Sequence, residues 1–168
     1  MYDSSVAVGG TTFDVVYTGL GALNWLHDIE RWAATMASVC RAGGFLYLAE
    51  FHPFVGLFWT DEGEERATAP LVQRQDYFDK VWHEESSGTY ADLDAATTHN
   101  ETWEHAWTLG EVVSAIAAAG FRVEFLREHD HTLFPAFGFL ERHDDGTYRL
   151  PRGLPSLQMM YSVRAVRA

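Results

Sequence analysis

The stretch from Phe13 to Pro53 constrains the fold of this chain more than any other. It begins with a short β-rich run from Phe13 to Tyr17, continues with apolar residues at helical spacing, and ends with a second apolar run from Phe45 to Ala49. Strand, loop, helix and strand in this order predict one βαβ unit, whose two strands are parallel and joined by a right-handed crossover. The sequence therefore predicts an α/β fold.

The helix of this unit has a single apolar face. Its apolar positions recur with a period of about 3.6 residues. They are Ile29, Trp32, Ala33, Met36, Val39 and Cys40. Asp28 is the predicted N-cap, and Gly43 is predicted to close the helix in a left-handed conformation.

The carboxyl ends of the two parallel strands are predicted to carry the ligand site. In open α/β sheets the ligand crevice lies along that edge, so Thr18 to Ala22 and Glu50 to Pro53 are the candidate segments. Glu50 and His52 stand where the second strand ends. A carboxylate and an imidazole at that edge can move a proton, and we predict them as the catalytic residues.

The end of the chain predicts one more helix and two more strands. Thr108 to Ala119 has an amphipathic period and begins with a capping box of Thr108 and Glu111. Phe121 to Glu128 and Met159 to Val166 alternate as strands do, and no helix joins them, so they are predicted to pair antiparallel.

Between these regions, residues 54–107 have no clear period and are rich in aromatic side chains. Long irregular segments of a compact domain are commonly functional. We interpret this segment as a lid over the ligand edge. His99, Trp103 and His105 are its candidate substrate-binding residues.

Composition excludes several classes of protein. The 168 residues, 47% of them hydrophobic, suffice for one domain with a buried core. The net charge of −12 argues against a nucleic-acid partner, and the single cysteine, Cys40, excludes an internal disulfide. No apolar stretch predicts a membrane span or a signal peptide, so the expected location is the cytoplasm. The preference for Arg over the single lysine, Lys80, is typical of bacterial proteins with GC-rich genes.

The sequence contains partial patterns of two other kinds of site. The loop from Gly19 to Asn24 begins like a dinucleotide-binding fingerprint, and Glu50 could then hold a ribose, but Asn24 stands where that pattern has glycine. His129-Asp130-His131 together with Asp144-Asp145 could suggest a metal site, but their spacing matches no metal motif, and we predict none.

The βαβ stretch, FDVVYTGLGALNWLHDIERWAATMASVCRAGGFLYLAEFHP, resembles the second half of the class I S-adenosylmethionine-dependent methyltransferase domain, in particular the bacterial small-molecule type. Trp25 to Asp28 matches that family's W-L-x-D segment, with His27 where proline is common. Ala42 stands in the usual proline position before Gly43-Gly44.

The resemblance implies a single, partial Rossmann-like methyltransferase domain over residues 1–168, with residues 54–107 as an inserted lid. The strands from Phe121 and from Met159 would be the fold's sixth and seventh strands, both reversed, the last of them ending the chain. The resemblance also implies S-adenosylmethionine as cofactor and a small-molecule substrate. Thr18, Gly19 and Leu20 would lie near the methionine end of the cofactor, with Trp25 close by.

One part of the family's pattern is not found in this sequence. The acidic residue followed by G-x-G-x-G after the first strand, which holds the cofactor, has no counterpart, nor does the acid that binds the ribose. The chain therefore resembles a methyltransferase without its first half, and we expect it to be weak or inactive alone. Two alternatives stay open: a non-catalytic domain that dimerises or binds a partner through the uncovered sheet edge, and a nicotinamide-dependent oxidoreductase.

Overall fold

The computed structural model of the protein describes residues 1–58, 71–85, 87–89, 92 and 94–168. The sequence also has an acidic patch, Asp61, Glu62, Glu64 and Glu65, whose charges predict a solvated face; it lies outside these described residues. Within them, no helix has both the length and the apolar character needed to cross a membrane.

Helices and strands alternate along the first part of the chain, as predicted. The elements in residues 1–58 are α1 (Ser4–Ala7), β1 (Phe13–Gly19), a 3-10 turn (Leu23–Trp25), α2 (Ile29–Val39), β2 (Cys40–Phe51) and α3 (Pro53–Gly56). Those that follow are β3 (Val81–Glu85), β4 (Glu101–His105), α4 (Leu109–Ala118), β5 (Phe121–His129), β6 (Glu141–Arg142), β7 (Tyr148–Arg149) and β8 (Met160–Arg167).

The main sheet has the strand order β1-β2-β8-β5. β1 and β2 are parallel, and β8 is antiparallel to both β2 and β5. This confirms the predicted α/β fold with a reversed C-terminal strand. The expectation that β5 is reversed as well is wrong, because a strand antiparallel to β8 runs in the same direction as β1 and β2.

The two longer helices, α2 and α4, cover one face of this sheet. Trp32 of α2 and Ile116 of α4 are fully buried there, against Leu46 and Leu48 of β2 and Val163 of β8. Burial of such large apolar side chains is the main source of stability for a fold of this kind. The core thus holds β1 and β2 in place beneath the predicted ligand edge.

The sequence predicts the start of α2 correctly but not its end. The side chain of Asp28 accepts a hydrogen bond from the backbone N–H of Arg31 at 2.8 Å, which confirms the N-cap. Gly43, however, is not the C-cap. The helix ends at Val39, the chain enters β2 at Cys40, and Gly43 (φ +74°) lies where the pairing with β1 shifts by several residues.

The capping box of α4 is confirmed. The Thr108 hydroxyl accepts from Glu111 N–H at 3.3 Å, and the Glu111 carboxylate accepts from Thr108 N–H at 3.1 Å. Thr108→Ala is therefore expected to lower the free energy of unfolding by about 1 kcal/mol, measured by urea denaturation. Thr108→Ser keeps the hydroxyl and should retain most of that stability; equal losses for both variants would contradict the capping role.

The described part of the predicted lid lies beside the carboxyl-end edge of β1 and β2. β3 and β4 form an antiparallel hairpin, from the pair Val81–His105 to the pair Glu85–Glu101. After the hairpin, the Trp107 indole N–H donates to the carbonyl of Leu26 at 2.8 Å. The hairpin is thereby fixed next to the 3-10 turn that follows β1.

Candidate functional site

Glu50 anchors the loop that follows β1. Its side chain is buried at the end of β2, where one carboxylate oxygen accepts from the backbone N–H of Gly21 and from Phe51 N–H at 2.9 Å. The other oxygen accepts from Ala22 N–H at 2.9 Å and Leu23 N–H at 3.2 Å. Since a carboxylate offers about four acceptor positions, backbone donors occupy this one. The geometry gives Glu50 a positioning role over the loop.

The anchored loop has an unusual backbone. Leu20 has φ +58° and Gly21 has φ +81°, so two consecutive residues adopt the left-handed region. A residue with a Cβ is disfavoured there by roughly 1–2 kcal/mol. The hydrogen bond from Leu20 N–H to the carbonyl of Ala49, at 2.8 Å, and the Glu50 carboxylate hold this conformation. Strain that is over-determined in this way is typical of binding sites.

The other predicted cofactor-binding residues differ in what they present at this edge. Thr18 directs its side chain into the core, where its hydroxyl lies 3.5 Å from the Met36 sulfur and 3.4 Å from the Trp32 indole nitrogen. Gly19 lies against β2, and a Cβ there would be 2.9 Å from the carbonyl of Ala49. Trp25 is 51% exposed and forms the outer border of the loop. Thr18 and Gly19 can therefore contact a ligand at this edge with their backbone atoms only.

A cavity of about 100 Å3 lies between the sheet edge and the lid. The loop after β1 contributes Asn24, the end of β2 contributes Glu50 and His52, and β8 contributes Tyr161. The lid contributes its aromatic and polar side chains. These are Trp82, Glu104, His105 and Trp107. Residues of the segment predicted as a lid and residues of the predicted ligand edge therefore line the same cavity.

His52 is buried at the floor of this cavity and caps α3. Its Nδ1 accepts from the backbone N–H of Phe54 at 3.1 Å, so the proton is on Nε2, which donates to the Glu128 carboxylate at 3.0 Å. Burial lowers the pKa of His52, and the charge of Glu128 opposes this only in part. His52 is therefore neutral at pH 7, held as one tautomer by its two partners.

This lowered pKa predicts that the protein loses stability in mild acid. As the pH falls below about 6.5, His52 of the unfolded chain takes up a proton before His52 of the folded protein does, so the free energy of unfolding decreases. His52→Asn keeps an N-cap acceptor without a titratable ring. Urea denaturation at pH 7.5 and pH 5 should show a smaller loss for this variant than for the wild type. Equal losses would contradict the assignment.

Tyr161 is a site residue that the sequence did not single out. It pairs with Glu50 across β2 and β8, is 2% exposed, and packs edge-on against His52 with ring centroids 6.0 Å apart. Burial, and then the charge of Glu50, raise the pKa of its phenol well above the usual value. The phenol is therefore protonated and can donate a hydrogen bond.

The three predicted substrate residues are not brought together. His105 lines the cavity and stacks on Trp107, with ring centroids 5.9 Å apart. Trp103 is 57% exposed and pairs with His83 across the hairpin, at 4.4 Å between centroids, and His99 is exposed. Asn24 and Glu104, which the sequence did not indicate, lie in the cavity with His105.

The weak metal candidates have ordinary hydrogen-bonding roles. His129 lies at the end of β5, and its Nε2 is 2.9 Å from the Ser162 hydroxyl. His131 lies 3.4 Å from the Asp130 carboxylate. Each of these two imidazoles thus has a hydrogen-bonding partner.

Comparison with solved structures identifies the fold of this chain. The sequence matches no family model and no curated protein. Among solved structures, the chain is similar to a methyltransferase from Mesorhizobium loti that depends on S-adenosylmethionine, with a TM-score of 0.52 and 20% identity over 92% of this chain and 62% of that one. A candidate methyltransferase of the same kind from Listeria monocytogenes gives a TM-score of 0.53 and 11% identity over 95% of this chain and 63% of that one.

A third structure of this kind, from Methanosarcina mazei, gives a TM-score of 0.50 and 13% identity over 94% of this chain and 60% of that one. The chain thus spans about three fifths of the length of the structures that it matches. The chain has the fold of the class I S-adenosylmethionine-dependent methyltransferases.

Proposed function

We propose that the chain forms the substrate-binding part of an S-adenosylmethionine-dependent methyltransferase that acts on a small molecule. The observation that carries this proposal is the lidded cavity at the carboxyl ends of β1 and β2, next to the strained loop from Gly19 to Leu23. Ligands of open α/β sheets bind at this edge.

The contacts of this site suit methyl transfer. The cofactor supplies an electrophilic methyl group, so the protein mainly has to align the acceptor and exclude water. The aromatic lid, with Trp82 and Trp107, covers the cavity, and Tyr161 and His52 form its floor. Glu50 fixes the loop that would face the methionine end of the cofactor.

The residues present fit only one wall of a cofactor site. The cavity of about 100 Å3 is smaller than the several hundred Å3 typical of a cofactor pocket, so it suits an acceptor group. The N–H groups of Gly21, Ala22 and Leu23 are already bound to Glu50. With no glycine-rich cofactor loop in these 168 residues, we expect this chain alone to bind the cofactor weakly.

Calorimetric titration with S-adenosylhomocysteine tests the proposal. We expect binding with a Kd between about 10 μM and 1 mM, which corresponds to about −7 to −4 kcal/mol. NADH is the matched control and should give no heat, because the carboxylate of Glu50 is bound to backbone amides and cannot hold a ribose. A folded sample that gives no heat with S-adenosylhomocysteine at millimolar concentration would contradict the proposal.

A second candidate function rests on the outer edge of the sheet. Within the described residues, β1 has β2 on one side and no strand on the other. Phe13, Val15 and Tyr17 of β1 are 43%, 51% and 58% exposed. Such an edge can pair with another chain, so we propose a homodimer through β1 as the alternative. Sedimentation should then show a dimer that Val15→Lys dissociates; a monomer up to 100 μM would exclude it.

A further inference from the structure

We propose that the acceptor taken by the lidded cavity is an amine, bound by Asn24, Glu104 and His105 between Trp82 and Trp107. This inference rests on the proposed function and names the substrate class of the same site. Three independent features of the cavity favour an amine: its charge, its unsatisfied polar atoms and its aromatic walls.

The charge of the cavity excludes anionic acceptors. Glu50 and Glu104 both line it, and no Lys or Arg is among its described lining residues. The carboxylate of Glu104 accepts a hydrogen bond from the Asn24 side-chain amide at 2.9 Å, which leaves it further acceptor capacity. A carboxylate or phosphate in this cavity would face like charges without a cationic partner, whereas an ammonium group would be attracted.

Two buried polar atoms need hydrogen bonds. Because a carboxylate only accepts, Asn24 must turn its NH2 group to Glu104, which leaves the amide Oδ1 as an acceptor. This Oδ1 and the Nδ1 of His105 are both buried and have no hydrogen-bond partner among the described residues. An amine or ammonium group carries two or more N–H donors and can satisfy both atoms. A hydroxyl carries one donor, and a carboxylate carries none.

The walls and the size of the cavity fit the end of an alkylamine. Trp82 and Trp107 line it, and an indole face attracts a cation. Its volume of about 100 Å3 is below the roughly 150 Å3 of a protein cavity that accommodates benzene. It therefore holds a group of a few heavy atoms, and the rest of a larger acceptor would extend to the open side.

An amine acceptor also gives His105 a chemical role. An imidazole that carries its proton on Nε2 could accept a proton from the bound ammonium group at Nδ1, which would free the nitrogen lone pair. A sulfonium donor bound beside the cavity would supply the methyl group: the lone pair would form the bond to the methyl carbon as the carbon–sulfur bond broke, with that bond's electron pair left on sulfur, giving the N-methylated amine and the thioether.

Small probes of similar size test this inference without the cofactor. Propylamine, propanol and propionate are titrated into the full chain, and the tryptophan indole N–H signals are followed by NMR. We expect propylamine to bind at least fivefold more tightly than propanol, and propionate not to bind. Propanol or propionate binding as tightly as propylamine would overturn the inference, as would no shift with propylamine at 50 mM.

A matched pair of variants tests whether Glu104 causes the preference for an amine. Glu104→Gln should reduce the preference for propylamine over propanol to less than twofold, whereas Glu101→Gln, at an exposed position at the start of the same strand, should keep it. Equal behaviour of the two variants would overturn the assignment. If Glu104→Gln does not fold, the probe series on the wild type still decides. Amine selectivity without heat from S-adenosylhomocysteine would support the amine site and refute the methyltransferase function, so the two failures are distinguishable.

Discussion

Glu50→Gln is expected to lower the free energy of unfolding by about 3 kcal/mol, a large loss for a domain of this size. Glutamine keeps the shape of the side chain but replaces one carboxylate oxygen with an NH2 group. Glu50 accepts hydrogen bonds from four backbone N–H groups, and two of these would then lose their acceptor at buried or part-buried positions. The left-handed conformation of Leu20 and Gly21 would lose its main support, so binding of S-adenosylhomocysteine should weaken as well.

Urea denaturation of the variant measures this loss, and Glu101→Gln is the matched control. Glu101 is exposed on β4, so its replacement should change the free energy of unfolding by less than about 0.5 kcal/mol. If Glu50→Gln is as stable as Glu101→Gln, then the network of backbone hydrogen bonds around Glu50 does not hold the loop.

Trp32→Ala is expected to lower the free energy of unfolding by about 4 kcal/mol. Trp32 is fully buried between α2 and the sheet, and its indole N–H lies 3.4 Å from the Thr18 hydroxyl. Removing the ring leaves a large cavity beneath the end of β1 and also leaves that hydroxyl without its donor. Thermal and urea unfolding measure the loss.

Trp103→Ala provides the comparison for that variant. Trp103 is 57% exposed on the lid hairpin, and losing its ring should change stability by about 1 kcal/mol or less. A small effect of Trp32→Ala, similar to that of Trp103→Ala, would show that α2 does not depend on this contact for its packing.

The βαβ unit and its ligand edge could be predicted because each element carries a strong local signal. The apolar face of α2, the Asp28 cap and the capping box of α4 depend on residues within a few positions of one another. Parallel strands joined by a helix then bring Glu50 and the loop after β1 to one edge, whatever the remaining contacts are.

The start of β2 could not be predicted from the same kind of signal. Gly43-Gly44 after a helix is typical of a left-handed cap, and the sequence gives no reason to extend the strand back to Cys40. In the structure the backbone of Gly44 lies close to β1, and a Cβ there would be 2.8 Å from the carbonyl of Asp14. This close approach depends on the neighbouring strand.

The direction of the Thr18 side chain could have been predicted from the sequence. Alternate residues of a strand face opposite sides, so Thr18 shares a face with Val16, and both are buried against α2. Phe13, Val15 and Tyr17 occupy the other face.

The side chains that the lid contributes to the site could not be predicted from local sequence patterns. β4 is a strand of five residues whose partner, β3, already ends at Glu85, and pairing between strands this far apart in the sequence leaves no local periodic pattern. Asn24 meets Glu104, and Tyr161 meets Glu50, only through tertiary packing and strand register. The sequence could therefore place the sheet edge but not the side chains that close over it.

Two-dimensional NMR of the backbone amide and indole N–H groups can map where S-adenosylhomocysteine binds on the chain. We predict that the shifts concentrate at Gly19, Leu20 and the Trp25 indole, beside the anchored loop. Shifts confined to Phe13, Val15 and Tyr17 on the outer face of β1, or no shifts at millimolar ligand, would contradict it.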